Sequence, residues 1–396
     1  MTTSFGSAAS HQVVQQLQSA GYEAVFVGGA VRDFALGKAP VDIDIATSAT
    51  PEQVKSVFHH TVDIGIAHGT VLVLMQNEPI EVTTYRTEST YSDHRRPDQV
   101  YYVTSLKEDL QRRDFTINAL AMTSEGEMID LFGGLQDLEN QLIRCVGCPA
   151  ERFGEDALRI FRALRFSAVL NFRIEQETLQ AMKGLSHELQ HIAIERIKVE
   201  MDKLLQGKYP AVAFQYGREI GLPTLFPDLF SSFERLDVYA PFLHARHGWA
   251  ALLLTSDATP AEIANNYKLS NEEKRFLKQC HEAACRRSHR KFNDLDLYHF
   301  SVDVLDIVER IHQVQHSNKE IVTREDLWER KNNLPIQHRS ELSFTGNDLL
   351  KWSGRRGGKW TSEWISKIEE AVICRQVEND AKAIKEWFLY EISSEK

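Results

Sequence analysis

The sequence predicts an α+β chain: a small N-terminal head with a mixed β-sheet and helices, followed by an elongated all-α neck, body and tail. Three observations carry that prediction. Residues from about 22 to 135 mix short β-rich runs with helical stretches. From about 137 onward, long segments are dominated by helix formers, and credible strands are few. At 396 residues, 42% hydrophobic and 26% charged, the chain has an ordinary globular composition and is too long for one typical core.

The elements follow in order. Gln12 to Ala20 reads as a helix. YEAVFVGG (22–29) is a strand running into a Gly28-Gly29 turn, after which AVRDFALG begins a helix. VDIDIAT (41–47) alternates Val41, Ile43 and Ile45 with Asp42 and Asp44, so period 2 puts the aliphatics on one strand face and both carboxylates on the other. Two bare carboxylates roughly 7 Å apart repel unless a cation sits between them; a solvated acidic edge is the alternative. Thr50 to Phe58 reads as a helix, with Thr50 as its cap and Pro51 in the first turn. GTVLVLM (69–75) and PIEVTTY (79–85) read as strands. RRDFTINALA (112–121) reads as an exposed basic start entering a helix, and Gly133-Gly134 as a hinge-like boundary. GEDALRIFRALRFSAVL (154–170), ERIKVEMDKLLQ (195–206), NEEKRFLKQCHEAACRR (271–287) and the segment 363–392 then supply the helices. No fixed-period repeat and no low-complexity tract is present.

Charge and composition narrow the function classes. A formal net charge of −10 argues against wholesale coating of nucleic acid but leaves room for local basic patches. Two patches stand out, RRSHRK (286–291) and KWSGRRGGKW (351–360), each either a solvated loop or a nucleic-acid contact. The second interleaves Trp352 and Trp360 with Arg355, Arg356 and Lys359, a mix suited to RNA backbone and base stacking. No run approaches the ~18 apolar residues of a membrane span. The first residues lack a basic start and a long apolar core, so a signal peptide is not expected and the default address is the cytoplasm. Five cysteines do not make a disulfide framework, and Cys145 and Cys148 are expected to be reduced and structural.

The chemistry-bearing residues converge on one theme. In GGAVRD (28–33), backbone N–H groups at Gly28 and Gly29 and the Arg32 guanidinium suit a phosphate. A glycine turn, Arg32 and the acidic strand within about 15 residues supply triphosphate anchorage and metal ligands, the two requirements of nucleotidyl transfer by two metals. In EDALRIFRALRF, Asp156, Arg159, Arg162 and Arg165 recur every three residues. On one helix they form a slanted row ~13.5 Å long, comparable to a nucleotide from base to γ-phosphate. The alternative is an amphipathic helix with Leu158, Phe161, Leu164 and Phe166 as core and the arginines in solvent.

GGAVRD followed by DIDIAT resembles the nucleotidyltransferase signature of the polymerase-β superfamily, in the branch of bacterial class II tRNA nucleotidyltransferases (CCA-adding enzymes) and poly(A) polymerases. The likeness continues through DLQRRDFTINALAM (109–122), DLFGGLQDL (130–138), ERFGEDALRIFRALRF (151–166) and IAIERIKVEMDKLL (192–205), and more loosely FTGNDLLKW (344–352). It implies a catalytic head (1–137), a nucleotide-selecting neck (138–196), and a body (197–295) and tail (296–396) that bind tRNA at the acceptor end and elbow. The implied activity is template-independent addition and repair of the terminal CCA from CTP and ATP, releasing pyrophosphate.

By the same resemblance Asp42 and Asp44 bind two Mg²⁺ ions, and Glu81 is either a third carboxylate near them or a surface glutamate. Arg113 contacts the nucleotide and Asp114 its ribose. Asp156 and Arg159 read the base edge, and Arg162 and Arg165 meet the triphosphate. The polar loop 85–103, with Arg86, Asp93, Arg95 and Arg96, is implied to change the pocket from C to A. A poly(A) polymerase shares the head motifs but is expected to carry a longer basic extension, whereas this chain ends in EISSEK. An inactive RNA-binding relative would not be expected to keep Asp42, Asp44, Asp156 and Arg159 together. No HD-type phosphohydrolase motif is evident, so no added phosphatase activity is expected.

Overall fold

The computed structural model describes residues 5–40, 42–65, 69–88, 100–227, 239–316 and 321–394. Asp93, Arg95 and Arg96 lie outside these residues. The chain divides into two compact units, residues 1–242 and 243–396.

The first unit opens with α1 (Ala8–Ser19), started by a reciprocal capping box between Ser7 and Ser10. Strand β1 (Ala24–Val27) leads through Gly28 into α2 (Gly29–Ala35). There follow β2 (Asp44–Thr47), α3 (Pro51–Val57), β3 (Thr61–Gly65), β4 (Thr70–Met75) and β5 (Glu78–Thr84). A short pair, β6 (Arg86–Glu88) and β7 (Val100–Tyr102), precedes α4 (Leu106–Gln111), β8 (Leu120–Met122) and β9 (Met128–Asp130). Seven strands form one sheet in the order β3-β4-β5-β2-β1-β8-β9. The β2–β5 pair is parallel and the other neighbours are antiparallel, so the sheet is mixed, as expected. Thr50 caps α3 in a box with Gln53, with Pro51 in the first turn.

One segment departs from its sequence reading. RRDFTINALA is not a helix with an exposed start: α4 ends at Gln111, Thr116–Asn118 makes a single 3₁₀ turn, and Leu120–Met122 pairs with β1. Phe115, Ile117 and Ala119 to Met122 are all buried. A short apolar run buried on both faces has no period that separates strand from helix, and the open edge of β1 decides it.

The Gly133-Gly134 pair lies inside the first unit and begins α5 (Gly134–Glu139). Gly133 is left-handed at φ 76°. At Gly134, a β-carbon would press into the Thr116 carbonyl group and lie 3.0 Å from Leu120. The requirement for glycine at 134 is close packing.

Beyond it, β10 (Leu142–Ile143) pairs in parallel with β11 (Arg173–Ile174). The main helices here are α6 (Pro149–Glu155), α7 (Leu158–Leu170), α8 (Gln176–Leu185), α9 (Ile194–Leu205) and α10 (Pro210–Glu219). Helix α7 packs on α9 and α10, burying Phe161, Leu164, Met201, Leu204 and Phe214. Asp156 is extended (φ −147°, ψ 102°) and separates α6 from α7. Only Arg159, Arg162 and Arg165 therefore form a row on one helix, with Asp156 at the break before it.

In the second unit, helices Ala245–Leu254, Asn271–His289 and Val302–His316 pack around Trp249, Leu277, Cys280 and Leu305. Among the described residues no helix is long and apolar enough to cross a membrane. The RRSHRK patch is largely committed to internal acids: Arg286 and Arg290 hold Asp296, and Arg287 holds buried Glu309 at 2.7 Å. Trp352 packs between Phe344 and Phe388, and the Trp360 indole donates to the Arg356 carbonyl. Arg355, Arg356 and Lys359 remain exposed.

Gly134→Ala is expected to cost about 2–3 kcal/mol through overpacking against backbone. Gly133→Ala, strained only by its left-handed φ with open space around it, should cost about 1–2 kcal/mol. Thermal melting of both variants checks the order; an equal or smaller loss for Gly134→Ala would remove the close-packing assignment.

Candidate active site

The first unit contains a cavity of about 860 Å³. Its lining includes Gly28, Gly29, Arg32, Asp42, Asp44, Glu81, Arg113, Asp114, Asp156, Arg159, Arg162 and Arg165. Every site residue read from the sequence that lies among the described residues thus faces one space.

At the acidic end the parallel register of β2 on β5 sets Asp44 opposite Glu81. Asp42 sits in the bend just before β2 and is exposed, so the two aspartates do not share a strand face as their spacing predicted. Burial raises the pKa of the Asp44 carboxyl. Glu81 and Asp42 add to the rise, and Arg113 opposes it. Among the described residues, Asp42, Asp44 and Glu81 take no side-chain hydrogen bond or ion pair, whereas Asp33, Asp114 and Asp156 in the same cavity are each paired to an arginine.

Unpaired carboxylates crowded in this way are an oxygen donor set for a hard cation. No group of three or more His, Cys, Asp or Glu converges as a complete cage among the described residues. Mg²⁺ needs only one or two carboxylates, with water and substrate phosphates filling the other positions, and the unpaired Asp42 and Asp44 meet that donor requirement.

The glycine turn is shaped by the same residues. Gly28 has φ 75°, and a β-carbon there would lie 3.0 Å from Arg113 Nη1 and 3.9 Å from Asp44 Oδ2. The Gly28 N–H donates to the Leu120 carbonyl, so it serves the sheet and is not free for a phosphate. Arg32 donates to Asp33 and, at 2.7 Å, to the Asn118 side chain.

From Asn118 an alternating chain of donors and acceptors crosses the cavity. Asn118 Nδ2 donates to Asp114 Oδ1 at 3.0 Å, Arg162 Nε donates to Asp114 Oδ2 at 2.6 Å, and Arg165 Nε donates to Glu200 Oε2 at 2.6 Å. Arg162 also lies 3.8 Å from Glu200. Asp109, 1% exposed, accepts from both Arg112 and Arg113 and aims the latter. At the α6–α7 break, Asp156 Oδ1 accepts the Leu158 N–H and Oδ2 holds Arg196 at 2.7 Å. Arg159, 7% exposed, donates to Glu155 and to the carbonyls of Arg152 and Arg112.

Sequence reasoning had passed over Asp109, Asn118, Arg196 and Glu200. The last two stand four apart in ERIKVE, on one face of α9, and that spacing was the available signal. Asp109 carries the same signal toward Arg112 and Arg113, three and four residues on, and Asn118 toward Asp114, four residues before it, whereas the Asn118 contact with Arg32 spans 86 residues and has no local signal.

Comparison with known proteins places the chain in a family. Residues 24–144 match the poly A polymerase head domain, 171–233 a segment described as the RNA and SrmB-binding site of polymerase A, and 242–388 tRNA nucleotidyltransferase domain 2. A CCA-adding enzyme of Bacillus cereus is 41% identical over 384 residues, covering 95% of this chain and 96% of the relative. One of Bacillus cytotoxicus is 42% identical over 381 residues, with the same coverage of both chains. The chain belongs to the CCA-adding enzyme family. The solved Bacillus stearothermophilus CCA-adding enzyme in complex with CTP is 34% identical, with a TM-score of 0.87 and 98% of each chain covered. In this member of the CCA-adding enzyme family, one cavity joins unpaired acids at one end to a row of arginines at the other.

Burial drives the Asp114 carboxyl up. The Arg162 charge, hydrogen bonds from Asn118 and Arg162, and the Arg159 charge outweigh it and hold the pKa at about 2. A depressed folded-state pKa stabilises the fold above the unfolded value and loses that contribution as pH falls through the folded one. The stability difference between wild type and Asp114→Asn should therefore shrink by ~2 kcal/mol between pH 5 and pH 2. Denaturant unfolding across that range tests it; parallel pH profiles would show that Asp114 is not held in this state.

Proposed function

We propose that this cavity adds C, C and A to the 3′ end of tRNA from CTP and ATP, with release of pyrophosphate, and that its two ends divide the work. The observation that carries the reading is the single cavity holding unpaired Asp42 and Asp44 together with Asp156, Arg159, Arg162 and Arg165. The relationship to CCA-adding enzymes over nearly the whole chain supports it.

Asp42 and Asp44 would hold two Mg²⁺ ions, with Glu81 beside them. When bound, the metals supply a primer hydroxyl of lowered pKa and neutralise charge on the nucleotide phosphates. Arg113, held by Asp109, counters the acid cluster and contacts the nucleotide, and Asp114 faces the ribose. C and A both carry an exocyclic amino donor beside an unprotonated ring nitrogen. Asp156 accepts from the amino group and Arg159 donates to the ring nitrogen, whereas U and G reverse both polarities. Reading the base requires Asp156 to exchange Arg196 for that amino group, which makes Arg196 a positioning residue. Arg162 and Arg165 meet the triphosphate.

Residues 1–137 serve as catalytic head, 138–196 as selecting neck, and 197–295 and 296–396 as body and tail that hold tRNA. Exposed Arg355, Arg356 and Lys359 contribute to the tail's hold. The segment 85–103 adjusts the pocket between C and A, and the enzyme works in the cytoplasm.

The deciding experiment is incubation with tRNA transcripts ending before CCA, with CTP, ATP and Mg²⁺, and sequencing of the 3′ ends. CCA ends are expected; homopolymeric A tails on arbitrary RNA would favour poly(A) polymerase. Asp44→Ala should abolish both C and A addition while tRNA binding survives, and near-normal turnover would remove the metal assignment. Asp156→Ala should reduce discrimination of C and A from U and G by roughly 5- to 150-fold per contact in kcat/KM. An equal loss for all four nucleotides would make Asp156 structural.

A further inference from the structure

Phe166 stands apart from the rest of the apolar face of α7. Its sequence reading, a core residue beside Leu158, Phe161 and Leu164, matches its 3% exposure. Yet it lines the catalytic cavity, and three guanidinium groups gather on its ring. The guanidinium carbon of Arg165 lies 3.9 Å from the ring centroid, that of Arg32 5.2 Å, and that of Arg162 5.8 Å. Arg162 is one helical turn before Phe166 on the same face of α7, whereas Arg32 arrives from α2, directly after the glycine turn. Phe115 meets the ring edge-on at 5.8 Å and anchors it from the buried side.

Three like charges brought this close repel one another, and each also has a neighbouring acid: Asp33 for Arg32, Asp114 for Arg162 and Glu200 for Arg165. Those acids balance charge, but they do not explain why the cations share one focus. An aromatic ring does, because its negative face attracts guanidinium groups and offers a plane on which they stack. Leucine would fill much the same core volume and provide neither. Guanidinium groups with a common focus beside a cavity form a preset fork for a polyanion.

We infer that Phe166 is a positioning residue for the nucleotide's triphosphate, its ring holding Arg32, Arg162 and Arg165 as one convergent set. The inference rests on the assignment of Arg162 and Arg165 to the triphosphate. Phe166 acts through the arginines, so its removal loosens the grip on phosphates and leaves base reading and the transfer step in place.

The probe is inorganic tripolyphosphate, which carries the anion without base or sugar, as an inhibitor of C addition to tRNA lacking its CCA. Wild type, Phe166→Leu, Phe166→Tyr and Arg165→Gln are compared, with thermal melts to confirm folding. For Phe166→Leu the tripolyphosphate Ki and the KM for CTP and ATP should rise roughly 5- to 30-fold. Its kcat and the Ki of cytidine should stay within about twofold of wild type. Phe166→Tyr, which keeps the ring face, should restore the tripolyphosphate Ki. If Arg165→Gln weakens tripolyphosphate inhibition but Phe166→Leu does not, the positioning role is overturned and the triphosphate assignment stands. A fall in kcat at unchanged KM in Phe166→Leu, or equal damage in Phe166→Tyr, also overturns it. If neither Phe166→Leu nor Arg165→Gln affects tripolyphosphate, the triphosphate assignment falls and takes the inference with it.

Discussion

The burial of the Asp114 carboxylate is the constraint around which the site is organised. At 7% exposure this anion has lost its water and must be neutralised in place. Arg162 does so from α7, while Asn118 and the Phe115 N–H saturate the other oxygen. A pair buried this deeply adds little net stability but fixes register, because removing either partner strands a charge. It locks the segment after α4 to the middle of α7, and so ties the cavity-facing residues next to the sheet to those of the helix.

The rest of the cavity follows from charge balance. Glu200, buried on α9, compensates Arg165 and approaches Arg162, which balances and orients the arginine row. Asp109 does the same for Arg112 and Arg113. The acids at the other end are left without an ion pair, and the pKa of Asp44 is raised by burial first, with Glu81 and Asp42 adding to the rise and Arg113 opposing it. Paired arginines beside unpaired carboxylates give the cavity a basic and an acidic end.

Much of this was legible in local sequence. Apolar β-rich runs such as AVFV and TVLVLM mark strands that bury one or both faces, and Thr50-Pro51 marks the start of α3, whereas the helix read from Gln12 begins at Ala8 behind its Ser7 cap. The every-third spacing of Arg159, Arg162 and Arg165 survives folding because all three lie inside one uninterrupted helix. Where the chain changes conformation, spacing stops being a ruler. Asp156 falls at the α6–α7 break and Asp42 before the start of β2, so neither occupies the position that a regular element would give it.

By itself, then, the sequence determined the α+β class, the order of its motifs and the chemical identity of the site: acids early, arginines on a helix, glycines at the turn. Those depend on residue type and on periods of two and 3.6, which are local properties. Only the tertiary structure decided that RRDFTINALA ends in a buried strand, that Gly134 is a point of close packing, and that Phe166 gathers arginines from two distant segments. It also decided which acid holds which arginine. Partners such as Asp114 and Arg162 lie 48 residues apart, and their pairing is set by which buried charges the packed core leaves within reach of each other.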